Sequence, residues 1–218
     1  MRAAIRWFAI PLLAGSLPAV AQPAPVIDNE RVTVWDIKLT KGEAGPATPN
    51  DQDTVIMFLE GGDIRTLSKD GKASTATRQF GDAVFVPRGT DATDTLVSDG
   101  RAHEIVVALK DHREPAIPNT TGLPAAFPRP GSAKALDNDR VVVWRYSWTP
   151  GVPTPMHFHD KDIVVAYRYD GSLKSVNLDG ATVVNPYKMG DLRFNKGNRA
   201  HYELLTTDRQ SAVMMELK

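Results

Sequence analysis

The chain contains no cysteine, so no disulfide bond stabilises it. It also lacks an extended basic stripe and an acidic tail, and its 26 basic residues balance its 26 acidic ones. This balance argues against nucleic acid and anionic lipid as partners. After residue 21, no apolar stretch reaches the roughly 20 residues that a membrane-spanning helix needs. Stability must therefore come from a packed core, for which 42% hydrophobic residues are enough, with help from any metal that binds.

The first 21 residues are typical of a secretory signal peptide. Arg2 and Arg6 provide a positive start, residues 7–20 are mostly apolar, and the stretch ends in the small-x-small pattern Ala19-Val20-Ala21. The alternative is a membrane anchor, but two prolines interrupt a run that is already too short to span a bilayer. We therefore expect cleavage after Ala21 and a periplasmic or secreted protein, with no membrane contact once the signal is removed.

The rest of the chain is a duplication. Residues 27–35 read IDNERVTVW and residues 136–144 read LDNDRVVVW, with six of nine positions identical at an offset of 109. The same offset aligns further turn and core residues without a gap. Examples are Gly42 with Gly151, Pro46 with Pro155, Asp53 with Asp162, Phe85 with Phe194 and Leu96 with Leu205.

The repeat divides the chain into four parts. After the signal peptide at 1–21, we expect a first domain at 22–109, a linker at 110–136 and a second domain at 137–218. The linker carries five prolines and has no sustained periodicity, which is typical of a connecting segment.

Each copy consists of short segments rich in valine, isoleucine and aromatic residues, such as RVTVWDIKL in the first and RVVVWRYSW in the second. Turn-forming pairs such as Asp70-Gly71 and Asp179-Gly180 separate these segments, and none of them has a helical period. Several short strands in each copy are typical of a jelly-roll or similar barrel. The sequence therefore predicts an all-β protein made of two tandem β-barrels.

The second copy contains a histidine pattern suited to metal binding. His157 and His159 are two residues apart, so on a strand both imidazoles point to the same side. His201 lies 42 residues further on, at the end of another predicted strand. Three imidazoles from two strands can hold a transition metal and leave coordination positions open. The alternative, exposed histidines without a ligand, is disfavoured because three of the five histidines fall in these two segments.

These segments resemble the cupin superfamily, specifically its two-domain members, the bicupins. The first cupin motif reads glycine, five residues, His-x-His, three or four residues, glutamate, six residues, glycine. The residues of this chain at those spacings are Gly151, His157, His159 and Gly171. The resemblance covers both copies, and it implies two jelly-roll barrels of the cupin type.

The second cupin motif is matched by Gly190 and His201, while Lys196-Gly197-Asn198 replaces the usual proline-x-glycine. In cupins the three histidines and the glutamate hold a divalent metal. The resemblance therefore implies that His157, His159 and His201 hold iron, manganese, nickel, copper or zinc.

The chain departs from the motif at the glutamate. That position falls on Val164 when counted back from Gly171, or on Ile163 with the shorter spacing, and neither side chain binds metal. Three-histidine sites without the glutamate occur in the superfamily, among relatives of thiol and diketone dioxygenases, so a metal site is still implied. Asp162 stands one residue earlier and would ligate only if the turn is distorted, because neighbouring strand residues face opposite sides.

The first copy lacks the histidines. The offset maps His157, His159 and His201 onto Thr48, Asn50 and Ala92, none of which replaces an imidazole. We therefore expect a degenerate, metal-free first barrel. The two remaining histidines, His103 and His112, lie outside the motifs, and we expect both at the surface.

Arg168 is a candidate substrate-binding residue. If Val164 points into the barrel, strand alternation brings Ala166 and Arg168 to the same side, where the guanidinium would clamp a carboxylate or phosphate. If the alternation is shifted by one residue, Arg168 is an ordinary surface residue.

Two hypotheses for function remain. One is an exported metal-dependent bicupin, an oxygenase or isomerase acting on a small molecule, and it is favoured by the triad in one copy. The other is a non-catalytic cupin protein with a ligand-binding or structural role, favoured by the missing glutamate and the degenerate first copy. No residue is assigned as catalytic. The expected partner is a small molecule in both cases, and a homodimer is a further option because such barrels pair through their outer sheet faces.

Overall fold

Residues 20–218 are described by a computed structural model, so almost all of the predicted signal peptide lies outside the described residues. The described part folds into eighteen strands and no helix, and the strands form four antiparallel sheets. The predicted all-β class is thereby confirmed. No helix in residues 20–218 has the length and apolar character to cross a membrane.

Eighteen strands divide equally between the two halves of the chain. The first nine are β1 (Ile27–Asp28), β2 (Val32–Thr40), β3 (Ala44–Ala47), β4 (Asp53–Glu60), β5 (Gly62–Ser68), β6 (Ala73–Arg78), β7 (Ala83–Val86), β8 (Ala92–Leu96) and β9 (Arg101–Leu109). The second nine are β10 (Ala133–Asp137), β11 (Val141–Trp148), β12 (His157–His159), β13 (Ile163–Tyr167), β14 (Gly171–Asn177), β15 (Thr182–Tyr187), β16 (Leu192–Asn195), β17 (Arg199–Leu205) and β18 (Gln210–Leu217).

The two halves have the same strand order. A five-stranded sheet, β1-β2-β9-β4-β7, faces a four-stranded sheet, β3-β8-β5-β6, in the first half. The second half repeats this arrangement as β10-β11-β18-β13-β16 and β12-β17-β14-β15. Each strand of one half therefore has a counterpart at the same place in the other half, as expected for a duplicated unit.

The central strands of the five-stranded sheets are buried on both faces. A single cluster of buried side chains joins residues of both sheets, including Val55 and Met57 of the first half and Val164 and Met215 of the second. The opposite face of each sheet lines the interior of its own half. The two halves thus pack through the outer faces of their five-stranded sheets, which explains why the strands are continuous apolar runs.

The connection between the halves is part of the second half's structure. Ala125 forms a parallel bridge with Phe158 on β12. The amide of Ala126 donates to the Phe158 carbonyl at 2.8 Å, and the Phe158 amide donates to the Pro124 carbonyl at 2.9 Å. Strand β10 also begins at Ala133, inside the segment predicted to be a linker. The end of this segment is therefore fixed beside the histidine strand.

Candidate metal centre

The two neighbouring strands β12 and β17 carry the three histidines. His157 and His159 occupy alternate positions of β12, and His201 on β17 is the direct antiparallel partner of His157. Directly paired residues share a face of the sheet, so all three imidazoles point into the interior of the second half. They are 2%, 6% and 4% exposed, respectively. Strand geometry alone therefore brings the predicted triad together.

The nitrogen atoms of the triad are spaced as metal ligands are. One ligand atom from each of His157, His159 and His201 can be chosen so that all three lie within 4.8 Å of one another. The Nε2 atoms of His157 and His159 are 3.2 Å apart. Bonds of about 2.0–2.1 Å from nitrogen to a divalent metal place neighbouring ligands about 2.9–3.4 Å apart, so this pair already has a suitable separation.

The protonation of the imidazoles also suits metal binding. The Nδ1–H of His157 donates to the Pro155 carbonyl at 2.8 Å, which leaves the Nε2 lone pair directed at the centre of the triad. Burial lowers the pKa of all three histidines, that of His201 to about 4, so the rings are neutral near pH 7. Within residues 20–218, Nε2 of His201 is buried without a hydrogen-bond partner, as a ligand nitrogen would be.

A largely buried carboxylate, Glu203, whose side chain is 14% exposed, lies beside the triad. It follows His201 by two residues on β17 and so points to the same side, with Oε1 at 3.9 Å from His201 Nε2. Its other oxygen, Oε2, accepts a hydrogen bond from Trp148 Nε1 at 3.0 Å. Although burial favours its neutral form, Arg129 and the nearby histidines hold the pKa of Glu203 below its usual value. Sequence analysis missed this residue, for which the His-x-Glu spacing on one strand was the available signal.

The segment between the two halves contributes Arg129 to the site. Its guanidinium donates to Glu203 Oε2 and approaches His157 Nε2, each at 3.4 Å. It also stacks over the ring of Tyr146, with 3.9 Å between Cζ and the ring centroid. Arg129 is 8% exposed, so its charge is buried and depends on these neighbours. Nothing in the sequence pattern of the segment pointed to this residue.

Strand β13 shows which residue takes the place of the cupin glutamate. Ile163 lines the interior cavity, while Val164 belongs to the buried cluster between the two halves. Of the two alternations that the sequence left open, the one in which Val164 points into the barrel is therefore not found, and Ile163 faces the cavity instead. An apolar Ile163 side chain occupies the position facing the histidines.

Asp162 does not reach the histidines. Its Oδ2 accepts a hydrogen bond from Arg31 at 3.2 Å, and its Oδ1 accepts from the Gly197 amide at 2.8 Å. Both side chains of the ion pair are almost fully buried. The turn distortion that metal binding by Asp162 would require is absent, because its carboxylate joins the two halves through Arg31.

Arg168 also lies outside the site. Because of the shifted alternation, its side chain points away from the cavity, and its guanidinium stacks over the ring of Phe80 from the first half at 4.2 Å. His103 differs from expectation too, since it is buried at 2% exposure with Nε2 at 2.6 Å from Asp36 Oδ1. His112 is exposed, as expected.

A cavity of about 250 Å³ opens beside the triad. Both sheets of the second half contribute to its wall, which is unusually polar for a β-sheet interior. Its charged or amide-bearing residues are Arg129, Arg193, Arg199, Glu203, Asn177, Asn185 and Asn195, and its apolar residues include Ile163, Val165 and Met214. The site therefore combines a potential metal centre with space for a small molecule.

The interior of the first half differs from this site. Ala92 occupies the place of His201 and is buried, while Thr48 and Asn50 occupy the other two positions. Asp94 corresponds to Glu203, and burial raises its pKa. Nearby Glu104 is 3% exposed, and burial raises its pKa to about 8. No imidazole offers a metal ligand there, within the residues described.

Comparisons with known proteins give a match in structure. No profile of a known protein family matches the sequence, and no curated protein sequence matches it either. A cupin 2 conserved barrel domain protein from Leptotrichia buccalis is similar, with a TM-score of 0.55 at 15% identity, over 95% of this chain and 93% of that one.

Oxalate decarboxylase from Bacillus subtilis gives a TM-score of 0.61 at 12% identity, over 87% of this chain and 68% of that one. Another structure of the same decarboxylase, with a TM-score of 0.59, is described in terms of its Mn(II) centres. At such identities the likeness concerns the fold alone. The resemblance inferred from the motifs is thus confirmed at that level, and the chain has the fold of cupin-domain proteins.

Proposed function

We propose that His157, His159 and His201 hold a divalent transition metal and that the second half uses this metal to act on a small molecule. The observation that carries the proposal is the triad itself: three buried, neutral imidazoles with ligand atoms within 4.8 Å of one another. The orphaned Nε2 of His201 supports it, because a buried nitrogen without a partner is costly unless something binds there. The similar fold of a decarboxylase described with Mn(II) centres agrees with such a site.

The surrounding residues would prepare the site for its metal. The Pro155 carbonyl fixes the ring of His157, and Trp148 fixes the carboxylate of Glu203. Glu203 Oε1 is close enough to His201 to become a fourth ligand after a small side-chain movement. A bound divalent cation would supply Lewis acidity and open coordination positions for substrate. Ile163 adds an apolar side chain to the wall of the cavity.

Measuring substrate turnover distinguishes the two functions that a metal at this site would allow. An oxygenase or isomerase would convert a small molecule only with the metal present, and iron would make oxygen uptake the first assay. A non-catalytic ligand-binding protein would hold the same molecule without converting it. The apolar Ile163, where cupins carry glutamate, favours this second candidate because it removes a carboxylate that could move a proton.

The test is elemental analysis of the purified full-length protein beside two variants. The wild-type protein should carry near-stoichiometric iron, manganese, nickel, copper or zinc, and the His157→Ala/His159→Ala double variant should carry none. His112→Ala is the matched control because His112 is exposed and distant in sequence from the triad. An absence of metal in wild type after reconstitution, with unchanged thermal stability, would overturn the proposal.

We further propose that each half is a closed jelly-roll barrel and that the protein is exported. The signal-like residues 1–21 support export. Amino-terminal sequencing of the mature protein should then begin at Gln22, and retention of Met1 would refute cleavage. Sedimentation analysis would show whether the mature chain forms the homodimer that such barrels often form.

A further inference from the structure

The cavity beside the triad carries an excess of positive charge. Its charged wall residues are three arginines, Arg129, Arg193 and Arg199, against a single carboxylate, Glu203. A bound divalent metal would add further positive charge to the same space. The cavity therefore favours a negatively charged ligand.

Only one of the three arginines has a carboxylate partner. Arg129 is paired with Glu203 at 3.4 Å. Arg193 and Arg199 have no carboxylate oxygen within 4.0 Å among residues 20–218. Arg193 is exposed at the cavity mouth, and its guanidinium lies over the ring of Tyr187, with 5.2 Å between Cζ and the ring centroid. Arg199 lies deeper, and its Nε is buried without any hydrogen-bond partner.

Strand register places Arg199 next to the metal candidate. On β17 it is the direct antiparallel partner of His159 on β12, so both side chains point into the cavity from neighbouring positions. Arg193 comes from the facing sheet, where it pairs with Val165. A ligand in this cavity would thus meet the histidines and Arg199 on one wall and Arg193 near the entrance.

The first half shows that this charge is not a general property of the fold. The offset of 109 maps Arg199 onto Thr90 and Arg193 onto Val84. Arg199 is partly buried, and a guanidinium removed from water without a carboxylate partner is unfavourable, so an anionic ligand would stabilise it.

We infer that the small molecule bound by the second half is an organic anion whose oxyanion group, a carboxylate or a phosphate, is held by Arg199 with Arg193 at the entrance. The planar guanidinium donates two parallel hydrogen bonds to such groups. The cavity volume of about 250 Å³ is below the roughly 300 Å³ at the lower end of pockets for drug-sized ligands, so the anion is small. This inference rests on the proposed function for the role of the metal, while anion binding itself requires only the arginines.

The experiment measures binding of malonate, methyl phosphate and the neutral analogue malonamide by calorimetry. Both metal-loaded and chelator-treated full-length protein are used. Wild type should bind at least one anion in both forms and should not bind malonamide. Arg199→Gln should weaken that binding at least tenfold without changing the metal content. Arg168→Gln is the matched control, since Arg168 lies outside the cavity, and it should bind like wild type.

The outcomes separate this inference from the metal proposal. Anion binding by a protein that never takes up metal would support the arginine site while the metal proposal fails. Failure of both anions to bind, equal binding of malonamide, or an Arg199→Gln variant that binds like wild type would overturn the inference even if metal is present. A second readout is thermal unfolding without ligand, where Arg199→Gln should be at least as stable as wild type because it removes an unpaired charge. A clear loss of stability would contradict that premise.

Discussion

The guanidinium of Arg31 donates a hydrogen bond to the carboxylate of Asp162 at 3.2 Å and so joins the two halves of the chain. The offset of 109 converts this pair into Arg140 and Asp53, which form the reciprocal contact at 2.7 Å. Arg31 also donates to the Lys218 carbonyl, as Arg140 does to the Leu109 carbonyl at the equivalent position. The halves therefore pack like two subunits of a symmetric dimer.

Breaking the Arg31–Asp162 pair should destabilise the protein without removing metal. Asp162→Ala leaves a buried guanidinium unpaired, and we expect a loss of about 3–5 kcal/mol in the free energy of unfolding. Asp53→Ala is the matched control and should have a smaller effect, because its ion pair is more exposed. Urea unfolding and elemental analysis of both variants test this. A variant of normal stability that has lost its metal would instead identify Asp162 as a ligand.

Glutamate substitutions at positions 163 and 164 should have opposite consequences. Ile163→Glu places a carboxylate in the cavity beside the histidines, so the variant should retain metal at higher chelator concentrations than wild type. Val164→Glu places it among the apolar side chains between the halves, where a buried charge costs several kcal/mol or more and the fold is lost. Chelator titration and circular dichroism would measure the two effects. A stable Val164→Glu protein would contradict the side-chain orientation.

The stability of the first half should fall as the pH rises. The pKa of Glu104 is about 8 in the folded protein, because of burial and the nearby carboxyl of Asp94, against 4.5 for the free side chain. Between these values the folded state holds a proton that the unfolded chain releases. The stability is therefore fully present below about pH 4.5 and is lost progressively up to about pH 8, by at most about 1.4 kcal/mol per unit.

Glu104→Gln removes this dependence, since an amide cannot ionise. We expect its free energy of unfolding to vary less than that of wild type between pH 5 and about pH 8, and its relative stability to be greatest at alkaline pH. Urea denaturation across this range provides the measurement. Parallel curves for variant and wild type would show that Glu104 titrates normally.

Alanine substitutions at two glycines distinguish the effect of a steric contact between the halves from the effect of backbone strain. Gly180 and Gly190 have φ angles of +82° and +86°, so alanine is strained by about 1–2 kcal/mol at either position. A Cβ at Gly180 meets nothing within 4 Å, whereas one at Gly190 lies 3.0 Å from Cε1 of His103 in the other half. Gly190→Ala should therefore lower the melting temperature more than Gly180→Ala. Equal melting temperatures would indicate that His103 moves aside freely.

The strands, the repeat and the convergence of the histidines could be predicted because each depends on spacing along the chain. Runs of β-branched residues define strands, and positions i and i+2 of a strand share a face, which brings His157 and His159 together. The duplication then provided the comparison with the first copy. These features need no knowledge of what packs against a strand.

The remaining features depend on packing and could not be read from spacing. Strand β13 is buried on both faces, so all its residues are apolar and no alternation distinguishes Ile163 from Val164. Glu203 stands two residues after His201, a spacing that a surface residue could equally have. Only the low exposure of its side chain, 14%, places it in the site. Arg129 belongs to a segment without periodicity. The hydrogen bonds of Pro124 and Ala126 with Phe158 fix this segment beside β12 and so bring Arg129 to the histidines.

The position of Arg129 makes the site of the second half dependent on the segment that precedes it. Arg129 lies between the two copies, outside the repeat that begins at Ile27 and Leu136. Its segment is held beside β12 and reaches the site from the connection that follows the first copy. The arginine side of the site is therefore supplied by the connecting segment, so a second half cut at residue 137 would lose this guanidinium while keeping the histidines and Glu203. Such a fragment would have to balance the charge of Glu203 in another way.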